Sequence, residues 1–161
     1  MNNPAEPKPH VNTALFLCSG NFYRSRFAEE LFNALATSHG IPWEADSAGL
    51  GLNPNNKGRV SSLVLDRLES LNIKPLQAKR FPRPAESSDL ASAEVIIAMS
   101  RDEHYGLMCN IFPTFVFRTK FWDVGDTDKM VSAEAFAAME RQVGGLTEEL
   151  QKGETDRVRT D

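Results

Sequence analysis

The segment of this sequence with the clearest chemical potential is residues 18–25, which read CSGNFYRS. Five residues separate a cysteine from an arginine, and a serine follows directly. A loop of this length between a strand and a helix can turn its backbone N–H groups inward, where they bind a tetrahedral oxyanion at the positive end of the helix. These donors and Arg24 favour the thiolate of Cys18, so the pattern predicts a nucleophile at the base of a phosphate-binding loop.

The other positions of the loop have residue types that suit this chemistry. Arg24 carries a planar, permanent charge that can bind two phosphoryl oxygens at once. Gly20 is expected to permit backbone conformations closed to other residues, and Asn21 to tolerate a left-handed turn. Ser25 is predicted to cap the following helix and to direct its hydroxyl toward the sulfur. The predicted phosphate- or substrate-binding residues are Ser19, Gly20, Asn21, Phe22, Tyr23 and Ser25.

The alternative interpretation of Cys18 is a small buried thiol beside an ordinary strand-to-helix turn. At average residue usage, an arginine six residues and a serine seven residues after either of two cysteines arises by chance in roughly one case in a hundred. The functional interpretation is therefore preferred for Cys18. Cys109 has no comparable neighbours and is predicted to be a buried or inert thiol. His39 and His104 are predicted to be ordinary surface residues near helix ends.

Alternating strands and helices are predicted around the loop. The predicted strands cover residues 13–17, 43–48, 95–99 and 115–117. The first predicted helix begins at residue 25 and ends at Gly40. A second passes through residues 63–71, and two more cover residues 101–109 and 132–150. This order predicts an α/β fold: a single domain with a four-stranded parallel open sheet, helices on both faces, and the phosphate-binding loop after the first strand.

Length, charge and composition limit the class of protein. The 161 residues suit one domain, predicted at residues 11–152 between flexible tails at residues 1–10 and 153–161. A formal charge of −4 without a basic cluster argues against nucleic-acid binding, and apolar runs of five residues argue against a membrane span. Two cysteines and three histidines provide neither a disulfide framework nor a structural zinc site. A reducing cytoplasm is the expected location.

The chain resembles the low-molecular-weight protein tyrosine phosphatases over nearly all of residues 11–150. The motifs that carry the resemblance are the loop at residues 18–25 with the following AE pair at 28–29, and the segments DSAG at 46–49, VIIAM at 95–99 and DVGDT at 123–127. The resemblance implies that Cys18 is the nucleophile, Arg24 the phosphate-binding arginine and Asp126 the general acid. Asp123 is the alternative acid within the same segment.

Several positions depart from the usual pattern of that family. Tyr23 stands where a second cysteine is common, and Thr127 where a proline follows the catalytic aspartate. Leu50, Leu52 and Asn53 occupy the region in which many members have a tryptophan. The histidine–aspartate pair that often braces the loop asparagine is expected to be replaced by Gln77 and Ser100.

The resemblance implies a cysteine-dependent phosphomonoester hydrolase, most consistent with a protein-tyrosine-phosphatase that forms a phosphocysteine intermediate and needs no cofactor or metal. Its implied partner is a phosphotyrosine-containing protein or a small aryl phosphate, with no nucleic acid and no membrane. Two alternatives stay open. A thiol-dependent arsenate reductase on the same fold needs further cysteines, of which only Cys109 is available. A catalytically weak phosphate-binding module is the other alternative.

Overall fold

The computed structural model of the protein describes residues 10–160, so residues 1–9 of the predicted N-terminal tail lie outside the described part. The elements, in chain order, are β1 (Asn12–Cys18), α1 (Arg24–His39), β2 (Trp43–Gly49), α2 (Ser62–Ser70), α3 (Ser87–Ser92), β3 (Val95–Ala98), α4 (Arg101–Ile111), a 3₁₀-helix (Pro113–Arg118), β4 (Thr119–Phe121) and α5 (Ser132–Thr160). No helix in residues 10–160 combines the length and apolar character needed to cross a membrane.

The four strands form one parallel sheet in the order β2-β1-β3-β4, which confirms the predicted α/β architecture. In the register of the sheet, Cys18 lies opposite Gly49, and Leu17 lies opposite Ala98. The carboxyl ends of the two central strands and of β2 therefore meet at one edge. This edge is where a doubly wound sheet binds ligands.

Apolar side chains from both faces of the sheet form two cores. Along β1, Phe16 packs into the first core, with α1, α2 and α5, whereas Leu15 and Leu17 pack into the second, with α3 and α4. β3 alternates in the same way, which confirms the prediction of a strand buried on both faces. Each fully buried large apolar side chain contributes about 1.5–3 kcal/mol, so the cores hold β1 and β3 firmly behind the loop.

Helix α1 begins one residue earlier than predicted and ends where predicted. Gly40 ends it in the left-handed conformation (φ +66°), and its N–H donates to the carbonyl oxygens of Ala36 and Thr37. The prediction that Ser25 caps the helix is wrong, because Tyr23 occupies the N-cap position and makes no side-chain capping bond. Ser25 lies inside the first turn, so its hydroxyl is available to the loop.

The prediction of a strand at residues 115–117 is wrong. Pro113 begins a 3₁₀-helix, as prolines often do at the first helical position, and the strand follows it at Thr119–Phe121. The apolar run misleads because Phe117 is 85% exposed and only its neighbours pack against the second core. The short helix Ser87–Ser92 was not predicted. Glu86 and Asp89 form a capping box at its N-terminus.

Helix α5 is longer than the sequence indicates. It continues through Thr160, whereas the prediction ends the helix at residue 150 and begins a tail at residue 153. The stretch contains no proline, and Arg157 pairs with Glu154 one turn earlier at 3.0 Å. Helix-compatible residues and this i,i+3 pair account for the continuation.

One residue of an edge strand is bonded by a side chain. β2 is an edge strand, and Asn33 of α1 accepts a hydrogen bond from the Ala45 N–H at 2.7 Å and donates one to the Ala45 carbonyl at 3.3 Å. The amide of Asn33 thus replaces one residue of a neighbouring strand. An edge strand protected in this way is less available for pairing with another chain.

Candidate active site

The loop at residues 18–25 joins the end of β1 to the start of α1, as predicted. The segment after β2 holds it from one side, because Leu50 N–H donates to the Cys18 carbonyl at 2.9 Å and Gly51 N–H to the Ser19 carbonyl at 3.0 Å. A Cβ atom at Gly49 would lie 2.7 Å from the Ser19 carbonyl oxygen. Glycine at this position is therefore required for the close approach of the two segments.

The Ser25 hydroxyl lies next to the sulfur of Cys18, and the Asn21 amide bonds that hydroxyl. Cys18 is 2% exposed, and its Sγ lies 3.0 Å from the Ser25 hydroxyl oxygen. Asn21 Nδ2 donates to that same oxygen at 2.9 Å, so the Ser25 proton is free to point at the sulfur. A hydrogen bond donated to sulfur stabilises negative charge on it.

The backbone turn of the loop is made at Asn21. Its φ of +50° lies in the left-handed region, which confirms the prediction for this residue. Gly20 was expected to permit a backbone conformation closed to other residues, but it does not have a positive φ, so the turn does not use the left-handed region there. One left-handed residue is sufficient to redirect the chain, and Asn tolerates this conformation better than most side chains.

The residues that brace Asn21 differ from those expected. Asn21 Nδ2 donates to Ser47 Oγ at 2.9 Å, and Asn21 Oδ1 accepts from the Arg83 N–H at 3.0 Å. The expectation that Gln77 and Ser100 brace it is wrong. The Gln77 carbonyl accepts from a buried arginine instead, and the Ser100 hydroxyl caps α4.

A partly buried ionic network lies behind Ser47. Ser47 Oγ donates to Glu29, and Arg80 bonds both Glu29 (3.0 Å) and Asp46 (3.1 Å). Burial raises the pKa of Glu29 above its ordinary value even though Arg80 opposes this shift. The network holds the end of β2 and the segment before α3 against the loop. Nothing in the local sequence pattern predicts it.

A cavity of about 360 Å³ opens in front of the loop. Its lining comprises Cys18, Ser19, Gly20, Phe22, Tyr23, Arg24, Gly51, Asn53, Asn55, Asn56 and Asp126. The structure thus brings Cys18, Arg24 and Asp126 to one cavity although Asp126 is more than a hundred residues from the loop. The side chains of Asn21 and Ser25 do not line this cavity, because they lie on the other side of the loop backbone. Asp123 lines a neighbouring cavity.

Arg24 is buried and held by two acceptors. Its Nη1 donates to the Val124 carbonyl at 2.9 Å, and its Nη2 to Glu103 Oε2 at 2.6 Å. Asp126 Oδ2 lies 3.7 Å from Nη2. Burial alone would lower the pKa of Arg24, but the hydrogen bond to Glu103 and the nearby negative charges raise it. The guanidinium is therefore positively charged when a phosphoryl group binds.

Glu103 and His104 are two residues beside the cavity to which the sequence pattern assigned no function. The prediction that His104 is a surface residue is wrong, because its side chain is fully buried. Ser100 N–H donates to His104 Nδ1 at 3.0 Å, so the proton of the neutral ring lies on Nε2, 2.9 Å from Glu103 Oε2. Burial lowers the pKa of His104 to about 4. Their position just after β3, at the carboxyl edge of the sheet, was the available signal.

Glu103 is a carboxylate with several donors. Oε2 accepts from Ser19 Oγ and from Arg24, and lies beside His104 Nε2. Burial alone would raise the pKa of Glu103, but hydrogen bonds from Arg24 and Ser19 lower it below the ordinary value. Glu103 is thus anionic at neutral pH and joins α4 to the loop.

The segment at residues 123–127 is attached to the end of β3. Val124 N–H donates to the Met99 carbonyl at 2.8 Å, and Asp123 forms an isolated antiparallel bridge with Ser100. Asp126 closes a turn in which its carbonyl accepts from Lys129 at 2.8 Å. The Asp126 side chain is 44% exposed at the cavity mouth, where an incoming substrate can reach it.

Tyr23 lines the cavity at the position where the resemblance led us to expect a second cysteine. The residue is 5% exposed, and its ring packs edge-on against Phe136 of α5 at 5.5 Å. Its hydroxyl is buried without a hydrogen-bond partner in residues 10–160. Burial, with Asp126 nearby, raises the pKa of Tyr23, so the hydroxyl stays protonated at neutral pH and can donate a hydrogen bond.

Other features of the described chain are less suited to chemistry. A larger groove of about 870 Å³ runs beside β2, but its arginines, Arg80 and Arg83, already pair with Glu29, Asp46 and Asp89. Cys109 is a free, exposed thiol on α4, so the prediction that it is buried is wrong. Residues 10–160 contain no cluster of three or more His, Cys, Asp or Glu side chains suited to a metal ion.

Comparison with known proteins agrees with the geometry. A family model described as low molecular weight phosphotyrosine protein phosphatase matches residues 13–156. The chain is 28% identical over 114 residues to a protein-arginine-phosphatase of Bacillus subtilis (strain 168), which covers 69% of this chain and 72% of that protein. It is 34% identical over 96 residues to the low molecular weight protein-tyrosine-phosphatase YfkJ of the same strain, which covers 56% of this chain and 57% of YfkJ.

Solved structures show the same fold. The crystal structure of YfkJ from Bacillus subtilis superposes with a TM-score of 0.79 at 23% identity, over 91% of this chain and 98% of that one. The family match spans most of the chain and includes every motif that surrounds the cavity. The chain therefore belongs to the low molecular weight phosphotyrosine protein phosphatase family, and it is a cysteine-based phosphoric monoester hydrolase.

Proposed function

We propose that the protein removes phosphate from phosphotyrosine residues of proteins, with Cys18 as nucleophile, Arg24 as phosphate-binding residue and Asp126 as general acid. The observation that carries this proposal is the convergence of these three side chains on one cavity of about 360 Å³. Cys18 lies at the buried end of the cavity and Asp126 at its mouth. A phosphoryl group between them would present its ester oxygen to Asp126.

In the proposed mechanism, the thiolate of Cys18 attacks phosphorus in line, and the bond from phosphorus to the tyrosine oxygen breaks. Asp126 donates its proton to that oxygen, because a phenol with a pKa of about 10 is a poor leaving group as an anion. Asp126 then removes a proton from water, and the water attacks the phosphocysteine. Inorganic phosphate and the original thiolate result, so atoms and charges balance without an added cofactor.

The remaining loop residues divide into two groups. Ser19, Gly20, Phe22 and Tyr23 line the cavity. We infer that backbone N–H groups of this stretch and the Tyr23 hydroxyl bind phosphoryl oxygens, and that Phe22 forms a wall of the cavity. Asn21 and Ser25 act from behind the loop, Asn21 by holding its turn and Ser25 by stabilising the sulfur.

A second candidate substrate is a phosphorylated arginine residue. One relative is a protein-arginine-phosphatase, and the cavity mouth supports this possibility because Asn53, Asn55 and Asn56 line it. Asparagine carbonyl oxygens can accept hydrogen bonds from a guanidinium, which a phenol ring does not offer. The two substrates compete for the same Cys18 chemistry and differ only in the leaving group.

The test measures phosphate release from a phosphotyrosyl peptide and from a phosphoarginyl peptide of the same sequence, in the presence of a metal chelator. We expect steady turnover of the phosphotyrosyl peptide that is lost in Cys18→Ser and kept in the matched control Cys109→Ser. Faster turnover of the phosphoarginyl peptide would establish the second candidate. Turnover that survives Cys18→Ser would refute the nucleophile, and dependence on Cys109 with arsenate as substrate would indicate a reductase.

We also propose a cytoplasmic location, because a thiol nucleophile works only while it stays reduced. Cell fractionation with an antibody against the protein tests this. Recovery of the protein only from an oxidising compartment would refute it.

A further inference from the structure

The proposed mechanism gives no role to the hydrogen bond that Arg24 donates to Glu103. A guanidinium has five N–H groups, and here one is donated to the Val124 carbonyl and one to Glu103 Oε2. The other three N–H groups are not used by these two acceptors, and an adjacent pair of them could bind two phosphoryl oxygens. Because a guanidinium is planar, two fixed bonds determine the direction of the other three.

We propose that Glu103 is the positioning residue for Arg24: its carboxylate fixes the guanidinium plane so that the free N–H groups face the phosphoryl group. The proposal rests on the phosphate-binding role of Arg24 given above. It adds a residue of α4 to a site otherwise built from the loop and the segment at residues 123–127.

Glu103 is itself held firmly enough for this task. Its Oε2 accepts from Ser19 Oγ and lies 2.9 Å from His104 Nε2, and the His104 ring is fixed by Ser100 N–H at Nδ1. The His104 side chain is fully buried, and that of Glu103 is 30% exposed. The chain of bonds therefore runs from the backbone at the end of β3, through a rigid ring, to the carboxylate and to Arg24.

The position of Glu103 distinguishes support of Arg24 from competition with substrate. Glu103 lines the neighbouring cavity with Ser100 and Asp123, whereas it does not line the cavity of Cys18. A phosphoryl group can therefore enter while the bond between Glu103 and Arg24 is kept. If Glu103 competed with phosphate instead, its removal would strengthen phosphate binding.

The test uses Glu103→Ala, Glu103→Gln and the control Asp102→Asn, an exposed acidic neighbour on the same helix. Inorganic phosphate is the ligand, and its affinity is read from the protection of Cys18 against iodoacetate, which requires no turnover. Loss of a hydrogen bond between charged groups predicts a fall in phosphate affinity of about 10- to 100-fold for Glu103→Ala. Glu103→Gln keeps an acceptor oxygen and should recover part of it, and Asp102→Asn should behave as wild type.

Thermal unfolding of each variant separates positioning from folding. Should Glu103→Ala fail to fold, Glu103→Gln carries the test, since it keeps the size of the side chain and removes only the charge that holds Arg24. Unchanged or tighter phosphate binding in folded Glu103 variants would overturn the proposal, as would an equal loss in Asp102→Asn. If phosphate protects the wild-type protein, either of these outcomes refutes only the role of Glu103. If the wild-type protein shows neither protection by phosphate nor turnover, the proposed function itself is refuted.

Discussion

Acidification should destabilise the protein through His104. The ring is fully buried and neutral, and its Nδ1 lone pair accepts the Ser100 N–H, so protonation at Nδ1 must break that bond. Its pKa is lowered to about 4 by burial, whereas an ordinary histidine has about 6.5. Glu103 and Asp126 favour the charged ring and Arg24 opposes it, but burial dominates.

The sign and size of the effect follow from linkage between protonation and folding. Between pH 6.5 and pH 4 the unfolded chain binds the proton and the folded protein does not, so stability falls as the pH falls. Each unit of pKa difference corresponds to about 1.4 kcal/mol, which gives about 3 kcal/mol lost by pH 4. This is a large part of the 5–15 kcal/mol that usually stabilises a domain.

The assay is urea unfolding of wild type and His104→Gln at several values between pH 7 and pH 4. Titrating carboxylates are common to both proteins, so the difference between their free energies of unfolding isolates the histidine. That difference should shrink by about 3 kcal/mol as the pH falls to 4. His39→Gln, at an exposed position on α1, controls for replacement of a histidine as such. A difference that does not change with pH, or a His104 ring signal that titrates near pH 6.5, would refute the reasoning.

Three further predictions concern the general acid, the cavity phenol and the edge strand. Asp126→Ala should slow hydrolysis most for poor leaving groups, whereas Asp123→Ala should slow good and poor ones alike; the opposite pattern in rates plotted against leaving-group pKa would make Asp123 the acid. Tyr23→Phe should raise the free energy of unfolding by about 1 kcal/mol because it removes an unpaired buried hydroxyl, yet weaken phosphate binding several-fold; unchanged binding would exclude Tyr23 from the phosphate site. Asn33→Ala should cost about 1–3 kcal/mol in urea unfolding, because it leaves Ala45 N–H and C=O without their partner; a loss below 0.5 kcal/mol would mean that water replaces the amide.

The catalytic loop was predictable because its chemistry is local. Residues 18–25 are contiguous, and the spacing from Cys18 to Arg24 together with a strand before and a helix after already implies the direction of the backbone N–H groups. The stop at Gly40 and the left-handed turn at Asn21 follow from single residue types in the same way. Local patterns gave the wrong secondary structure where contacts with distant residues decide it. The apolar residues 115–117, for example, form a 3₁₀-helix and not a strand.

The sequence alone therefore determined the strand–loop–helix unit and the parallel sheet, and it led to the proposal of Cys18 as nucleophile and Arg24 as its arginine. Only the tertiary structure decided which side chains surround that unit. Glu103 lies 79 residues from Arg24 and Val124 lies 100 residues away, and both meet the guanidinium because β3 pairs with β1 in one particular register. A contact of this kind depends on the packing of two cores and on no local pattern, which is why His104 reads as a surface histidine in the sequence and lies fully buried beside the active site.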